Sequence, residues 1–269
     1  GNNNKEVSRQ VFFVNWDGEK QQLHITKLPP LPMPLDNLSA TYADGCLYVA
    51  GGKGKPQTVP IGKDGSQTAP TNPLFSLQLT PSLQKEWVRL PDFPGPARVQ
   101  PVLTAQQSED GIRLYLAGGF QPASAHQEAI VCTDMLSYHP KTKQWRNEGF
   151  LPSLAGGSHR TVTGGCAIAS GDSSILLVGG VNYDRFRDAL NHPEPDYLLH
   201  PADWYKFNTS LLQYNTFTKH WTHLGNYEEL ARAGAGIANN ANTVIIIGGE
   251  LKPGIRTPEV NAFKLTCHP

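Results

Sequence analysis

A short apolar run that ends in two glycines occurs four times in the chain, and it constrains the fold more than any other feature. The runs end at Gly51-Gly52, Gly118-Gly119, Gly179-Gly180 and Gly248-Gly249, at intervals of 61 to 69 residues. Each run is short and rich in Val, Ile and Leu, which is typical of a buried strand, and the glycines permit a sharp turn after it. Recurrence at this period predicts a fold built from equal units.

Each unit repeats the same order of predicted strands. A strand of small residues precedes the apolar run, and a strand with an aromatic residue follows it. A turn and a strand with Trp87, Trp145 or Trp221 complete the first three units. This order predicts a four-stranded antiparallel sheet with the innermost strand first. The paired glycines and the spaced Tyr and Trp residues resemble the kelch repeat, which is a blade of a β-propeller. The small-residue strands are predicted at 39–42, 99–105, 164–169 and 233–238.

The domain prediction is one all-β, kelch-type β-propeller over residues 1–269. Residues 10–27 read as a hairpin around Asp17-Gly18, and they fit the two outer strands of a blade whose inner strands do not precede them. About four and a half blades are therefore visible in the chain. Either the hairpin joins the C-terminal strands and closes the ring, or the natural chain has more blades. The predicted blades lie near 36–92, 96–152, 157–226 and 231–267.

Composition excludes several classes of partner. The formal net charge is zero, so no basic surface for nucleic acid or an anionic membrane is expected. No run of about eighteen apolar residues predicts a membrane span, and the chain shows no hydrophobic leader. The four cysteines are far apart, without C-x-x-C or nearby paired histidines, so no metal site is predicted. They are Cys46, Cys132, Cys166 and Cys267.

Common catalytic motifs are missing from the sequence. We find no G-x-S-x-G elbow, no P-loop and no dinucleotide-binding glycine motif. Paired carboxylates for glycoside cleavage and the Asp boxes of sialidase propellers are not evident either. Hydrolysis and nucleotide chemistry are therefore not expected.

The connection over residues 183–208 breaks the rhythm of the third unit. It is rich in charged and aromatic residues, including Arg185, His200 and Trp204. An insertion of this length in a blade usually covers a face or lines a site. The alternative is a solvated decoration without a functional role.

Propeller geometry predicts that loops from different units meet on one face. The loops after the glycines and the loops that lead into each first strand emerge together around the central channel. Several arginines fall in these loops, and an arginine fork suits a small anion such as a carboxylate. For Arg98 and Arg160 the alternative is a rim charge or a pair between blades. The loops after the glycines contribute Lys53, Gln121, Asn182, Glu250 and Arg256. The loops that lead into each first strand contribute Asn37, Arg98, His159, Arg160 and Arg232.

The second half of the chain resembles a particular family. The most specific segment is Gly249-Glu-Leu-Lys-Pro-Gly-Ile-Arg-Thr257, and the similarity extends in the same order from about Asp36 to Val260. The family is that of the bacterial N-acetylneuraminate epimerases, or sialic acid mutarotases. Other matching segments are Gly179-Gly-Val-Asn182 with Phe186, and Phe207-Asn-Thr-Ser-Leu-Leu212 leading to Lys219-His-Trp221.

The resemblance implies a six-bladed kelch propeller in the periplasm that interconverts the α and β anomers of N-acetylneuraminic acid. It assigns the proton acceptor to Glu250 and an essential role to Arg256. Because the hairpin that closes the family's last blade lies here at the N-terminus, the chain looks like a circularly permuted branch.

The residues suit this chemistry independently. Anomerisation needs a base for the anomeric hydroxyl and an acid for the ring oxygen, but no cofactor. We predict Glu250 as the base and Arg256 as the clamp for the sugar carboxylate. Two rival hypotheses are a non-catalytic propeller that binds an acidic glycan or peptide on its arginine-rich face, and a structural propeller of the cell envelope. Substrate-binding candidates besides Arg256 are Asn182, Arg232, Arg98, Arg160 and His159.

Overall fold

The computed structural model describes residues 7–54, 72–154, 156–240 and 242–265. Its strands form four blade sheets arranged as a β-propeller, so the predicted all-β propeller is confirmed. Cys267 lies outside the described residues, and Cys46, Cys132 and Cys166 are free thiols. Burial raises the pKa of the Cys132 thiol to about 11, which suits a structural cysteine.

A hairpin opens the described chain. Strand β1 (Val11–Asp17) pairs with β2 (Gln22–Leu28) along its whole length, and within the described residues neither strand pairs with another sheet. The turn between them spans residues 18–21, which is longer than the Asp-Gly signal suggested. Its conformation is set by the Asp17 carboxylate, which accepts hydrogen bonds from the backbone N–H groups of Glu19 and Lys20.

The first three blades are four-stranded antiparallel sheets, and the described part of the fourth has three strands. Short hairpins interrupt the second and fourth blades. The first blade comprises β3 (Ser39–Ala43), β4 (Cys46–Ala50), β5 (Leu74–Gln78) and β6 (Val88–Leu90). The second comprises β7 (Val102–Ser108), β8 (Gly111–Ala117), β11 (Asp134–His139) and β12 (Gln144–Phe150), with β9 (Phe120–Gln121) and β10 (Ile130–Val131) as its hairpin. The third comprises β13 (Cys166–Ser170), β14 (Ser174–Val178), β15 (Ser210–Asn215) and β16 (Trp221–Asn226). The fourth comprises β17 (Gly236–Asn240), β18 (Thr243–Ile247) and β21 (Val260–Lys264), with β19 (Glu250–Lys252) and β20 (Ile255–Arg256) as its hairpin.

The insertion in the third blade contains the α-helix of the described structure, α1 (Tyr183–Asn191). Two 3-10 turns follow at Tyr197–Leu199 and Ala202–Tyr205, and another at Glu228–Leu230 precedes the fourth blade. The Asn182 side chain caps α1 by accepting a hydrogen bond from the Arg185 N–H. In the described residues, no helix combines the length and apolar character needed to cross a bilayer.

The paired glycines mark the contacts between consecutive blades. A Cβ on Gly51 would lie 2.4 Å from the carbonyl oxygen of Arg98, in the loop that leads into the second blade. At Gly179 the same atom would lie 2.6 Å from the carbonyl oxygen of Arg232, which leads into the fourth. Both glycines also have positive φ, at +66° and +67°. Only glycine meets both requirements, so the repeat seen in the sequence is a packing requirement.

A chain of backbone hydrogen bonds links the loops that lead into the four blades. The N–H of Gln100 donates to Asn37 O at 2.8 Å, that of Gly164 to Gln100 O at 3.0 Å, and that of Gly234 to Gly164 O at 2.7 Å. All four residues have positive φ, between 51° and 70°. Each blade is therefore fixed to the next through the same left-handed position.

The hydrophobic core lies between the sheets rather than within any one of them. One cluster joins Ala50 and Leu74 of the first blade to Leu116 of the second, and another joins Tyr115 of the second to Tyr214 of the third. Apolar surface of this kind is buried only when neighbouring blades stack. The blades are thus stable as an array and not singly.

The N-terminal hairpin is related to the first blade as the first blade is to the second. The indole N–H of Trp87 donates to Pro29 O just after β2, and the indole N–H of Trp145 donates to Pro91 O just after β6. A Leu precedes the proline in both places. This correspondence supports the prediction that the hairpin forms the outer strands of a blade.

A buried carboxylate joins the second blade to the third. Glu148 accepts hydrogen bonds from the Ser137 hydroxyl, the Arg146 guanidinium and, across the interface, the Tyr214 hydroxyl. Burial raises the pKa of Glu148, but these hydrogen bonds lower it by more, so its pKa lies below the ordinary value of 4.5.

We therefore expect the Glu148→Gln substitution to flatten the acid side of the stability profile. Because the folded-state pKa is depressed, the stabilisation from ionised Glu148 is complete above pH 4.5 and is lost as the pH falls through the lower folded value. Urea unfolding between pH 7 and pH 3 measures this effect. The wild type should lose its advantage over the variant below pH 4.5, whereas the exposed control Glu86→Gln should track the wild type throughout. A wild-type advantage that stays constant with pH would contradict the assignment.

Candidate functional site

The loop after the fourth pair of glycines folds into the β19–β20 hairpin, which carries the two predicted catalytic residues. Glu250 lies directly opposite Arg256 in the hairpin register. The Arg256 Nε–H donates to Oε1 of Glu250 over 3.3 Å. Pro253 and Gly254 form the turn, and Gly254 has a φ of +79°. Although they are six residues apart in the sequence, Glu250 and Arg256 thus form a cross-strand pair.

The backbone of Glu250 is fixed to the loop that leads into its own blade. Its N–H donates to Ala233 O at 2.7 Å, and its carbonyl accepts from the Ala233 N–H at 3.0 Å. The preceding Gly249 has a φ of +105°, and a Cβ there would lie 3.1 Å from Ala233 O and from the Cβ atoms of Ala235 and Arg232. The glycine therefore allows the hairpin to approach the ring closely.

The two side chains differ in exposure. Glu250 is 31% exposed and Arg256 is 81% exposed. Within the described residues, the Nη1 and Nη2 groups of Arg256 make no hydrogen bond. Since Nε alone contacts Glu250, the guanidinium retains both terminal nitrogens for a ligand.

Arg98 and Arg232 occupy equivalent positions and have equivalent structural partners. Arg98 donates to both carboxylate oxygens of Asp134 at 2.8 Å and to Gly118 O at 2.9 Å. Arg232 donates to the Glu259 carboxylate at 2.8 Å and to Gly248 O at 3.3 Å. Each side chain is at most 2% exposed. Both guanidiniums therefore tie the first glycine of their blade to a carboxylate at or just before the start of its third strand, and contact with a ligand would require this network to open.

Arg160 and His159 lie in the loop that leads into the third blade. Arg160 is buried, and its Nε–H donates to Pro152 O at 2.9 Å. Burial lowers the pKa of this guanidinium from its ordinary value, since no carboxylate among the described residues pairs with it. His159 is exposed, and its ring packs edge-to-face on Tyr183 with 5.2 Å between centroids. Among the residues that the structure describes, these two share no partner with Glu250.

A cavity of about 690 Å³ lies beside the hairpin, between the insertion and the third and fourth blades. This volume is within the range of small-molecule sites. Of the predicted site residues, Asn182 lines it; Leu251, next to Glu250, marks the border with the hairpin. The other lining residues are Leu154, Ala202, Asp203, Lys206, Phe207, Asn208, Thr209, Ser210, Asn226, Glu228 and Ala231.

Two residues with clear roles were not assigned from the sequence. The Asn208 amide nitrogen lies 2.8 to 3.1 Å from the carbonyl oxygens of Thr161, Gly179 and Val181. It replaces, in the third blade, the arginine that bonds to the first glycine in the second and fourth. The sequence did offer a signal for this replacement, because the third blade has Val162 at the position that Arg98 and Arg232 occupy in the second and fourth blades. The second residue is Lys252, whose ammonium contacts the insertion.

A compact group of potential metal ligands lies in the insertion. Atoms of Glu194, Asp196 and His200 lie within 4.8 Å of one another. Both carboxylates are exposed, and the His200 ring stacks on Trp204 with 3.8 Å between centroids. Exposed acidic groups of this kind are common without an ion, so the arrangement alone does not define a metal centre.

The fold and the site together define a β-propeller that presents a carboxylate–guanidinium pair beside a ligand-sized cavity. The family profile described as "NANM: N-acetylneuraminate epimerase" matches residues 28–268. The chain therefore belongs to the N-acetylneuraminate epimerase family.

Individual relatives agree with this assignment. N-acetylneuraminate epimerase of Salmonella paratyphi B is 27% identical over 248 residues, covering 87% of this chain and 57% of the relative. The Pasteurella multocida enzyme of the same name is 27% identical over 215 residues, covering 75% of this chain and 52% of the relative. The solved structure described as "Structure of YjhT" is similar in fold, with a TM-score of 0.66 and 23% identity over 89% of this chain and 67% of that one. The chain spans slightly more than half the length of the curated relatives it matches.

The partners of Arg98 generate a stability prediction. We expect Asp134→Ala to lower the free energy of unfolding by about 3–5 kcal/mol, because it leaves a buried guanidinium without its carboxylate. The matched control is Asp92→Ala, which breaks the exposed Arg89–Asp92 pair and is expected to cost about 1 kcal/mol or less. Urea unfolding at neutral pH measures both. Equal losses for the two variants would contradict a structural role for Arg98.

Proposed function

We propose that the protein interconverts the α and β anomers of N-acetylneuraminic acid, with Glu250 as the base and Arg256 as the clamp for the substrate carboxylate. The observation that carries the proposal is the Glu250–Arg256 pair, in which Nη1 and Nη2 of the arginine make no hydrogen bond to the described residues. Family membership supports the substrate, since the relatives are named for N-acetylneuraminate.

Stability alone does not explain this pair. An exposed ion pair typically contributes about 1 kcal/mol or less, because water and salt screen it, and Arg256 is 81% exposed. Arg98 and Arg232, by contrast, are buried, and each donates to a carboxylate and to a glycine carbonyl. The setting of Arg256 thus suits an incoming anion better than that of Arg98 or Arg232.

Substrate binding places the reacting carbon beside the base. N-acetylneuraminic acid has its carboxylate on the anomeric carbon, and Nη1 and Nη2 of Arg256 suit two parallel hydrogen bonds to it. The anomeric hydroxyl on the same carbon is then within reach of Glu250, which already contacts the Nε of the same guanidinium. Asn182 lines the adjacent cavity, where it is a candidate for binding the substituents of the sugar ring.

The reaction consists of ring opening and closure. Glu250 takes the proton of the anomeric hydroxyl as the bond between the anomeric carbon and the ring oxygen breaks, and the ring oxygen receives a proton from a general acid or water. The open form is a keto acid. Rotation about the bond next to the keto carbon presents its other face, and the hydroxyl attacks there while it returns its proton to the general acid or water. The keto oxygen receives the proton from Glu250 and becomes the anomeric hydroxyl. Arg256 keeps the substrate carboxylate bound while the keto carbon turns its other face to the attacking hydroxyl.

The same family resemblance supports a periplasmic location for the protein. It also supports the assignment of the β1–β2 hairpin to the outer half of the blade that closes the ring, in a circularly permuted order. The relation of Trp87 to Pro29 is consistent with that assignment.

NMR of freshly released α-N-acetylneuraminic acid tests the proposed reaction. We expect the wild type to accelerate equilibration and Glu250→Gln to lower kcat by about 10²- to 10⁴-fold, since it keeps the shape but removes the base. Arg256→Met should raise KM, because it removes binding of the carboxylate.

Asp92→Asn and Arg89→Met are matched controls, because they disrupt an exposed ion pair in the first blade. Both variants should retain wild-type rates. A Glu250→Gln variant as active as the wild type would refute the assignment of the base. A wild type that binds the sugar but equilibrates it no faster than buffer would instead favour a non-catalytic binding propeller.

A further inference from the structure

The insertion of the third blade crosses to its neighbours on both sides. Toward the second blade, the Asn191 side chain at the end of α1 accepts from the Ala129 N–H at 2.7 Å and donates to Ala129 O at 3.2 Å. Phe186 of α1 also packs edge-to-face on Phe120, with centroids 5.1 Å apart. Toward the fourth blade, the contact is made by Lys252 of the β19–β20 hairpin. We call residues 183–208 the strap.

Lys252 holds two backbone carbonyls of the strap. Its ammonium donates to His200 O at 2.6 Å and to Leu198 O at 3.2 Å. These carbonyls lie at the end of the 3-10 turn Tyr197–Leu199, where backbone oxygens lack partners within the turn. A lysine ammonium has three donors and a flexible stem, so it can satisfy both oxygens at once.

The part of the strap that receives Lys252 is itself firmly packed. The His200 ring stacks on Trp204 at an interplanar angle of 4°, and the Arg185 guanidinium lies 4.4 Å from the centre of the Trp204 ring. Tyr205, next in the chain, is buried and packs against Phe207. Lys252 therefore bonds to a segment whose neighbouring side chains pack together.

The hairpin needs such an anchor. Its strands have three and two residues, and the pairing is irregular between Glu250 and Lys252. A two-stranded hairpin this short is not stable by itself in water. The backbone bonds to Ala233 fix its base, and within the described residues the bonds from Lys252 are the side-chain hydrogen bonds that tie it to another element.

We infer that Lys252 is a positioning residue: by bonding to the strap it fixes the hairpin, and with it the Glu250 carboxylate and the Arg256 guanidinium. The inference rests on the proposed function for its catalytic consequence and on geometry alone for its structural one. Lys252 does not act on the substrate. It acts through the location of the residues on either side of it.

Hydrogen exchange followed by mass spectrometry tests the structural consequence on the intact chain. In Lys252→Met, amides of residues 250–256 and 197–205 should exchange faster than in the wild type. In Asn191→Ala, which releases the opposite end of the strap, the faster exchange should be confined to residues 183–191 and 120–131. Wild-type exchange over residues 250–256 in Lys252→Met overturns the inference, whatever the activity of the protein.

Kinetics test the catalytic consequence. Because a small displacement of a catalytic group is costly, we expect Lys252→Met to lower kcat by about tenfold, with a smaller change in KM. Lys252→Arg should restore most of kcat, since a guanidinium can donate to both carbonyls, and Asn191→Ala should remain near the wild-type kcat.

An unchanged kcat in Lys252→Met, beside an active wild type, overturns the positioning role. An inactive wild type refutes the proposed function instead, and the exchange experiment still decides whether Lys252 holds the hairpin.

Discussion

The left-handed residues at the inner ends of the blades are the constraint on which the rest of the structure depends. Asn37, Gln100, Gly164 and Gly234 are linked in order by backbone hydrogen bonds, one to each successive blade. The paired glycines bring the end of each apolar strand against these loops. Ala233, the neighbour of Gly234, forms the two backbone bonds that fix Glu250. The series of backbone hydrogen bonds that joins the blades therefore also determines where the candidate base, Glu250, lies.

Burial separates Arg98 and Arg232 from Arg256, whereas Arg160 is buried and donates to a backbone carbonyl. Arg98 and Arg232 are buried, and each bonds to a carboxylate and to the carbonyl of a glycine. A buried guanidinium without such partners would be costly, so these residues are tied to the fold. Arg256 is exposed and shares one hydrogen bond with Glu250. Some charged side chains on this face thus stabilise the fold. A ligand site is identified by the hydrogen-bond donors that have no partner within the fold.

Much of the fold could be predicted because its requirements are local. The glycine pairs and the apolar runs before them are dictated by close approach and burial, which leave a direct record in the sequence. The pairing of Glu250 with Arg256 could be expected as well, because Pro253 and Gly254 between them favour a turn. The resemblance to a known family added the proposed substrate, which no spacing or composition gives.

Other features depend on contacts that are distant in sequence. Nothing in the sequence around Arg98 shows that its partner is Asp134, because that pairing exists only once β8 and β11 lie side by side. Lys252 likewise gains its role from a strap that enters the chain some fifty residues earlier. Helix α1 was not predicted because it is only nine residues long, and its start is set by the Asn182 cap. Local rules predict elements well, but not the partners of long polar side chains.

The central claim is that Glu250 and Arg256 act as one unit on a sugar acid, and a double-mutant cycle on the anomerisation rate tests it most directly. Rates would be measured for the wild type, Glu250→Gln, Arg256→Met and the double variant at a substrate concentration far below KM. If the two residues act together, the double variant loses much less in kcat/KM than the product of the two single losses. Losses that multiply would show that the residues act independently, and they would contradict the account.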